Sequence, residues 1–187
     1  VKQQADAIYA IDPSVKYMFH IAHALYATDK PKELFPDSML TFPDGRQHTY
    51  GDSDAYYYGG SYFSKERLDQ GWRWWIFYPT KKNSFGKAML DSVDIMVDKL
   101  HCRGAFMDGF MWTYGDAWTY GEWDGHSADI DPNTKMITRK KGSVLLLSQE
   151  LLAEYVNKWN KRGGTVIANY PVFTRTLAKE KMVCDQE

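Results

Sequence analysis

Gly104-Ala105-Phe106-Met107-Asp108-Gly109-Phe110 is the stretch on which the fold turns. It is short, almost wholly apolar, and it ends in an acid beside a glycine. A continuous apolar run of this length reads as a strand covered on both faces, as in a parallel sheet. An acid within it is costly to bury unless it sits at the open end. The segment before it is helical. Asn83-Ser84 offers an N-cap, and Phe85, Met89, Val93, Met96, Val97 and Leu100 recur at helical spacing. Further upstream, Trp72 to Pro79 reads as a second strand, and Val15 to His23 as the first. Val1 to Ile11 reads as the end of a helix, broken at Asp12-Pro13.

Downstream, 111–141 is irregular and rich in Trp, Tyr, Gly and Asp. Val144, Leu147, Leu151, Leu152, Tyr155 and Trp159 then mark a helix, expected to start after Ser148 and to stop at Arg162-Gly163-Gly164. Thr165 to Pro171 is the last clear strand. Leu40 to Tyr50 reads as a small excursion turning at Asp44-Gly45. Strands that alternate with amphipathic helices imply right-handed βαβ units and a parallel sheet. No glycine-rich phosphate turn follows a strand, so a nucleotide-binding open sheet loses support. The expectation is therefore an α/β parallel (β/α) barrel: a partial TIM barrel with long βα loops at about 28–71 and 111–142. A complete barrel needs ~250 residues. The 187 residues are read as a single barrel domain or a segment of one.

Composition narrows the function. The chain is 44% hydrophobic and 25% charged with a net charge of −1, which excludes a disordered chain and disfavours nucleic acid binding. Arg139-Lys140-Lys141 is the longest basic run and reads as a solvated loop. No apolar run reaches the ~18–20 residues that cross a bilayer, so no membrane partner is expected. No signal peptide is visible, and with Val at position 1 the native start is expected to lie upstream. The remainder of a larger chain is thus one expected partner, and the compartment stays open. The two cysteines, Cys102 and Cys184, form neither a disulfide framework nor a metal spacing.

Aromatic content is high at 16%, and six of the seven Trp lie between Trp72 and Trp123. Such faces stack on sugar rings, and they equally fill cores. Asp108 is the first candidate for chemistry, because barrel enzymes hold catalytic groups at strand ends. Strand-end acids also cap loops, so binding and structural roles both remain open.

Arg103 to Phe110 resembles the strand of barrel glycoside hydrolases in which glycine and hydrophobic residues lead to an Asp at the end of the fourth strand. Trp123 to Asp131 and Arg162 to Asn169 resemble loops and strands of uncharacterised glycosidase-like barrel proteins. The resemblance covers Val15 to Thr176 at the level of fold. It implies an O-glycosyl hydrolase acting on a carbohydrate, with Asp108 as nucleophile or base and no cofactor. Many such relatives carry Glu directly after the Asp. Gly109 stands there in this chain, which removes support from a mechanism built on two adjacent acids and leaves room for an inactive relative.

Glycoside hydrolysis needs two carboxyl groups. Glu122 and Asp124 are the nearest candidates for the acid, with Trp123 between them able to desolvate a neighbour. Trp75, Tyr78, Trp112, Trp118, Trp123, His126 and Asn169 are the candidate substrate contacts. Asp129-Ile130-Asp131-Pro132-Asn133-Thr134 alternates oxygen ligands but lacks the full calcium loop, and a plain turn explains it more simply. His20 and His23 point to opposite faces of an extended segment and read as rim or core histidines. Arg175 reads as a partner for a site acid or for solvent. No metal site is expected, since no H-x-H or H-E-x-x-H set occurs. The competing reading is a carbohydrate-binding or structural segment without turnover.

Overall fold

The computed structural model describes residues 1–50, 63–109, 118–169 and 174–185. Four strands form a parallel sheet: β1 (Phe19–Ala22), β4 (Gly104–Asp108), β9 (Thr165–Asn169) and β10 (Val183–Asp185). They lie side by side in chain order. The register sets Ala22 opposite Asp108, Ala105 opposite Val166, and Cys184 opposite Ala168.

This corrects the barrel expectation. The sheet is open, with β1 and β10 as edges among the described residues. A closed barrel takes about eight strands. The run at Trp72 explains much of the difference. Its core, β3 (Arg73–Ile76), leaves the parallel sheet and pairs antiparallel with β2 (Leu25–Thr28). An apolar run reads the same in either direction of pairing, so sequence alone does not separate the two cases.

Helix α1 (Lys2–Ile11) precedes the sheet, and the short helices α2 (Pro31–Leu34) and α3 (Lys65–Asp69) lie between β2 and β3. The excursion around Asp44-Gly45 is a tight turn. Phe42 N donates to Arg46 O at 2.7 Å, and Gly45 takes the left-handed φ of +83° that glycine tolerates.

Helix α4 (Ser84–Asp94) is capped by Asn83, whose side chain accepts from Gly86 N at 3.0 Å. The helix runs on as a π-helical turn, Ile95–Lys99. Helix α5 (Val144–Lys161) starts four residues before Ser148, because Val144 is already buried against Ile76 and Tyr78. Gly163, at φ +73°, ends the α5 segment.

Alternation along the strands gives the sheet two different faces. Phe19, Ile21, Ala105, Met107, Val166 and Ala168 pack into the main core with α4 and α5. Met89, Val93, Leu151, Leu152, Tyr155 and Trp159 supply the helical half of that core. The opposite face carries His20, Phe106, Asp108, Ile167 and Asn169.

The segment read as the long loop 111–142 contains short ladders within its described part. Strand β5 (Trp118–Thr119) pairs antiparallel with β8 (Gly142–Ser143), and β6 (Ala128–Ile130) with β7 (Ile137–Lys140).

Candidate functional site

Three neighbouring strands bring polar side chains to one corner of the sheet. Asp108 is the last residue of β4, and its side chain is 44% exposed. That exposure removes the burial cost that would weigh on an acid inside the strand. Asn169, the last residue of β9, is buried, and its Nδ2 donates to Asp108 Oδ1 at 3.0 Å. Among the described residues its Oδ1 has no hydrogen-bond partner. His20 of β1 places Nε2 at 3.6 Å from the other carboxylate oxygen, Oδ2. That is an ion-pair distance, longer than a hydrogen bond. The His20 ring stacks on Phe106, with centroids 5.6 Å apart and planes at 18°.

The sheet register explains the convergence. His20 lies opposite Phe106, and Ala22 opposite Asp108. Residues two apart on one strand share a face. His20, Phe106 and Asp108 therefore share the face away from the helical core. His23 is on a different footing. It is buried, and burial pushes its pKa down to about 4, so it is neutral at pH 7.

The residues expected to supply the acid lie elsewhere, along a separate cleft. A cleft of about 610 Å³ is lined by Asp37, Tyr78, Asn83, Glu122, Trp123 and Asp124 among others, and its lining does not include Asp108, His20 or Asn169. Asp124 is used as a knot. Its Oδ1 accepts from His126 N at 2.8 Å and Ser127 N at 2.7 Å. Its Oδ2 accepts from Ser127 Oγ at 2.6 Å and from Ser143 N, just ahead of α5, at 2.8 Å. Burial alone raises the Asp124 pKa, but these four donors together outweigh it and hold the carboxyl below its ordinary value. A carboxyl held ionised suits a loop anchor better than a proton donor. Glu122 is exposed on the cleft. Tyr78 is buried with its hydroxyl donating to Asp37 O at 3.3 Å. Burial first, then the charges of Glu122 and Asp37, raise its pKa.

No protein family, curated protein or solved structure matches this chain. The likeness to glycosidase-like barrels therefore rests on the quoted residues alone.

Most of the aromatics proposed as sugar platforms already have partners. Lys141 Nζ sits 4.3 Å from the Trp118 ring centroid, and Lys140 Nζ 4.0 Å from that of Trp123. The Arg139 guanidinium lies 5.5 Å from the Tyr120 ring centroid. The basic run read as a solvated loop is thus a ladder of cation–π contacts. Trp75 is half-buried and donates from Nε1 to Thr28 O at 2.8 Å. His126 is exposed. Trp112 lies outside the described residues. Phe106 is the ring beside Asp108, and sequence reasoning passed over it. Its signal was the period-2 spacing to Asp108.

The oxygen pattern at 129–134 is accounted for by a turn and an ion pair. Asp131 Oδ1 accepts from Asn133 N at 2.7 Å and Thr134 N at 2.9 Å, and Asp129 Oδ1 meets Lys141 Nζ at 2.7 Å. Among the described residues no group of three or more His, Cys, Asp or Glu side chains is arranged to hold a metal. Arg175 is exposed.

Proposed function

We propose that the protein acts on a carbohydrate at the corner formed by β1, β4 and β9, as a glycoside hydrolase-like protein with Asp108 as nucleophile or base. The observation that carries this reading is the state of the Asp108 carboxylate. It is half exposed at the carboxyl end of a parallel strand, and an amide from the next strand fixes one of its oxygens. A carboxylate held through one oxygen, with the other 3.6 Å from His20 Nε2, can accept from a sugar hydroxyl, activate water or attack an anomeric carbon. The flat faces of Phe106 and His20 lie beside it. Stacking on such faces suits the apolar side of a sugar ring. Glu122 and Asp124 line a separate cleft, so neither is assigned as the second carboxyl at this corner.

The second reading is binding without turnover. It rests on the neighbours of Asp108, because the Asn169 amide and the His20 and Phe106 rings can hold a sugar ring without chemistry.

Assays on a panel of 4-nitrophenyl glycosides, with the Asp108→Asn variant beside the wild type, separate the readings. Hydrolysis by the wild type that is lost in Asp108→Asn supports the hydrolase. Wild-type binding of the same glycosides without release of nitrophenol supports the binding reading. Hydrolysis unchanged in Asp108→Asn removes the catalytic role from this side chain.

A further inference from the structure

The β6–β7 ribbon gathers three of the four most exposed large apolar side chains among the described residues. Ile130, Met136 and Ile137 are 59%, 68% and 62% exposed. Every residue of β7 is exposed. Ile130 and Ile137 are directly paired, so both side chains stand on one face of the ribbon. Met136 is at the same end, where its carbonyl accepts from Asp131 N at 3.0 Å. Ala128 pairs with Lys140, beyond a register shift that separates this pair from Ile130 and Ile137. Lys140 in turn covers Trp123, which is 45% exposed.

The charge of this ribbon is net positive. Between 128 and 141 the cations are Lys135, Arg139, Lys140 and Lys141, against Asp129 and Asp131. Asp129 is engaged by Lys141 and Tyr120, and Asp131 by its own turn. Arg139 lies opposite Asp129 and over the Tyr120 ring, which leaves Lys135 and Lys140 as the cations beside the apolar end with no acid bonded to them among the described contacts. The chain as a whole carries −1. The positive charge is thus a local property of the ribbon.

We infer that the β6–β7 ribbon docks on an anionic lipid surface, with Ile130, Met136 and Ile137 entering the headgroup layer and Lys135 and Lys140 facing the phosphates. Charge complementarity selects this occupant. A stable protein interface buries about 800 Å² on each partner. A two-stranded tip with three apolar side chains is narrow for that. A lipid interface needs a small apolar wedge with a cationic rim. The expectation of no membrane partner came from the absence of an apolar run able to cross a bilayer. Among the described residues no helix is long and apolar enough to do so. Docking on one leaflet requires no crossing.

Co-sedimentation with mixed phosphatidylcholine–phosphatidylserine vesicles tests the inference. The wild type is expected to pellet with the mixed vesicles, less so with phosphatidylcholine alone, and less as salt rises. Combined Ile130→Ser, Met136→Ser and Ile137→Ser is expected to weaken partitioning about tenfold or more, as is combined Lys135→Glu and Lys140→Glu. The three apolar side chains are solvent-exposed, so the serine variant keeps the wild-type circular dichroism melt. Failure of the wild type to pellet overturns the inference, as does pelleting of the serine variant at the wild-type level. Self-association in sedimentation velocity that the serine variant abolishes, without vesicle binding by the wild type, assigns the tip to a second copy instead.

Discussion

Asn169 and Asp108 end adjacent parallel strands, and the Asn169 amide donates to the Asp108 carboxylate at 3.0 Å. The bond crosses 61 positions of sequence. It makes the acid a fixed acceptor rather than a freely rotating surface side chain. Replacing Asn169 by Ala frees that rotor. Hydrogen bonds to charged groups contribute ~1.5–3 kcal/mol when buried, and solvent screening of the half-exposed carboxylate lowers this to about 1 kcal/mol. The expected result in urea unfolding is a modest loss of stability, accompanied by weaker glycoside binding. Binding unchanged in Asn169→Ala would separate the amide from the ligand.

Asp124 anchors its loop to the start of α5 through four donors. Asp124→Ala strands Ser143 N and the turn amides, and is expected to cost about 2 kcal/mol. Hydrogen exchange is expected to quicken at Ser127 and Ser143. An Asp124→Ala variant with wild-type stability and no activity would instead mark this acid as a participant in chemistry.

Gly86 sits where α4 passes over the Thr80 backbone. An added Cβ would fall 1.9 Å from Thr80 O, so the helix start must move. Gly86→Ala is expected to destabilise by about 3 kcal/mol, as overpacking against backbone does. At Gly125 the space is open, and the cost of Ala comes only from its left-handed φ of +89°. There the loss is expected to be about 1 kcal/mol. Thermal melts of the two variants check the order.

Acid destabilises the fold in two separable windows. The His23 pKa is lowered from its ordinary 6.5 to about 4 by burial. The unfolded chain therefore takes up this proton first, and stability that is full above 6.5 is lost as pH falls toward 4. The second window lies lower. The hydrogen bond from Lys158 at 2.7 Å is the largest cause holding the Asp94 carboxyl below its ordinary 3.8, and Arg162 adds to it. Its contribution is present above 3.8 and disappears as pH falls through the depressed folded value. His23→Leu is expected to flatten the melting temperature across the upper window only, and Asp94→Asn across the lower one only. A shared response to both variants would contradict the assignment.

The elements legible in the sequence are those written in local chemistry. Strand β4 with its terminal Asp108, helix α4 with its Asn83 cap, and the stop of α5 at Gly163 each follow from residues within a few positions. Long-range pairing was not legible. Nothing around Trp74 distinguishes a parallel partner from the antiparallel Ala27 that it meets, so the sequence alone does not assign this strand to its sheet. The meeting of His20 with Asp108 depends on register between strands more than eighty residues apart. The aromatic cluster invited a sugar-stacking reading. The cations that cover Trp118 and Trp123 lie 23 and 17 positions further on, at Lys141 and Lys140, and only folding brings them together. Asp124 reads as a proton donor in the sequence because spacing does not disclose how many donors a carboxylate will collect.

Glycan-array binding of four single variants compares the corner and the cleft directly. Asp108→Ala and Phe106→Ala alter the β1–β4–β9 corner, and Glu122→Ala and Trp123→Ala alter the neighbouring cleft. The account predicts that sugar binding is lost in the first pair and kept in the second. Binding that survives Asp108→Ala and vanishes with Glu122→Ala or Trp123→Ala would move the site to the cleft and contradict the central claim.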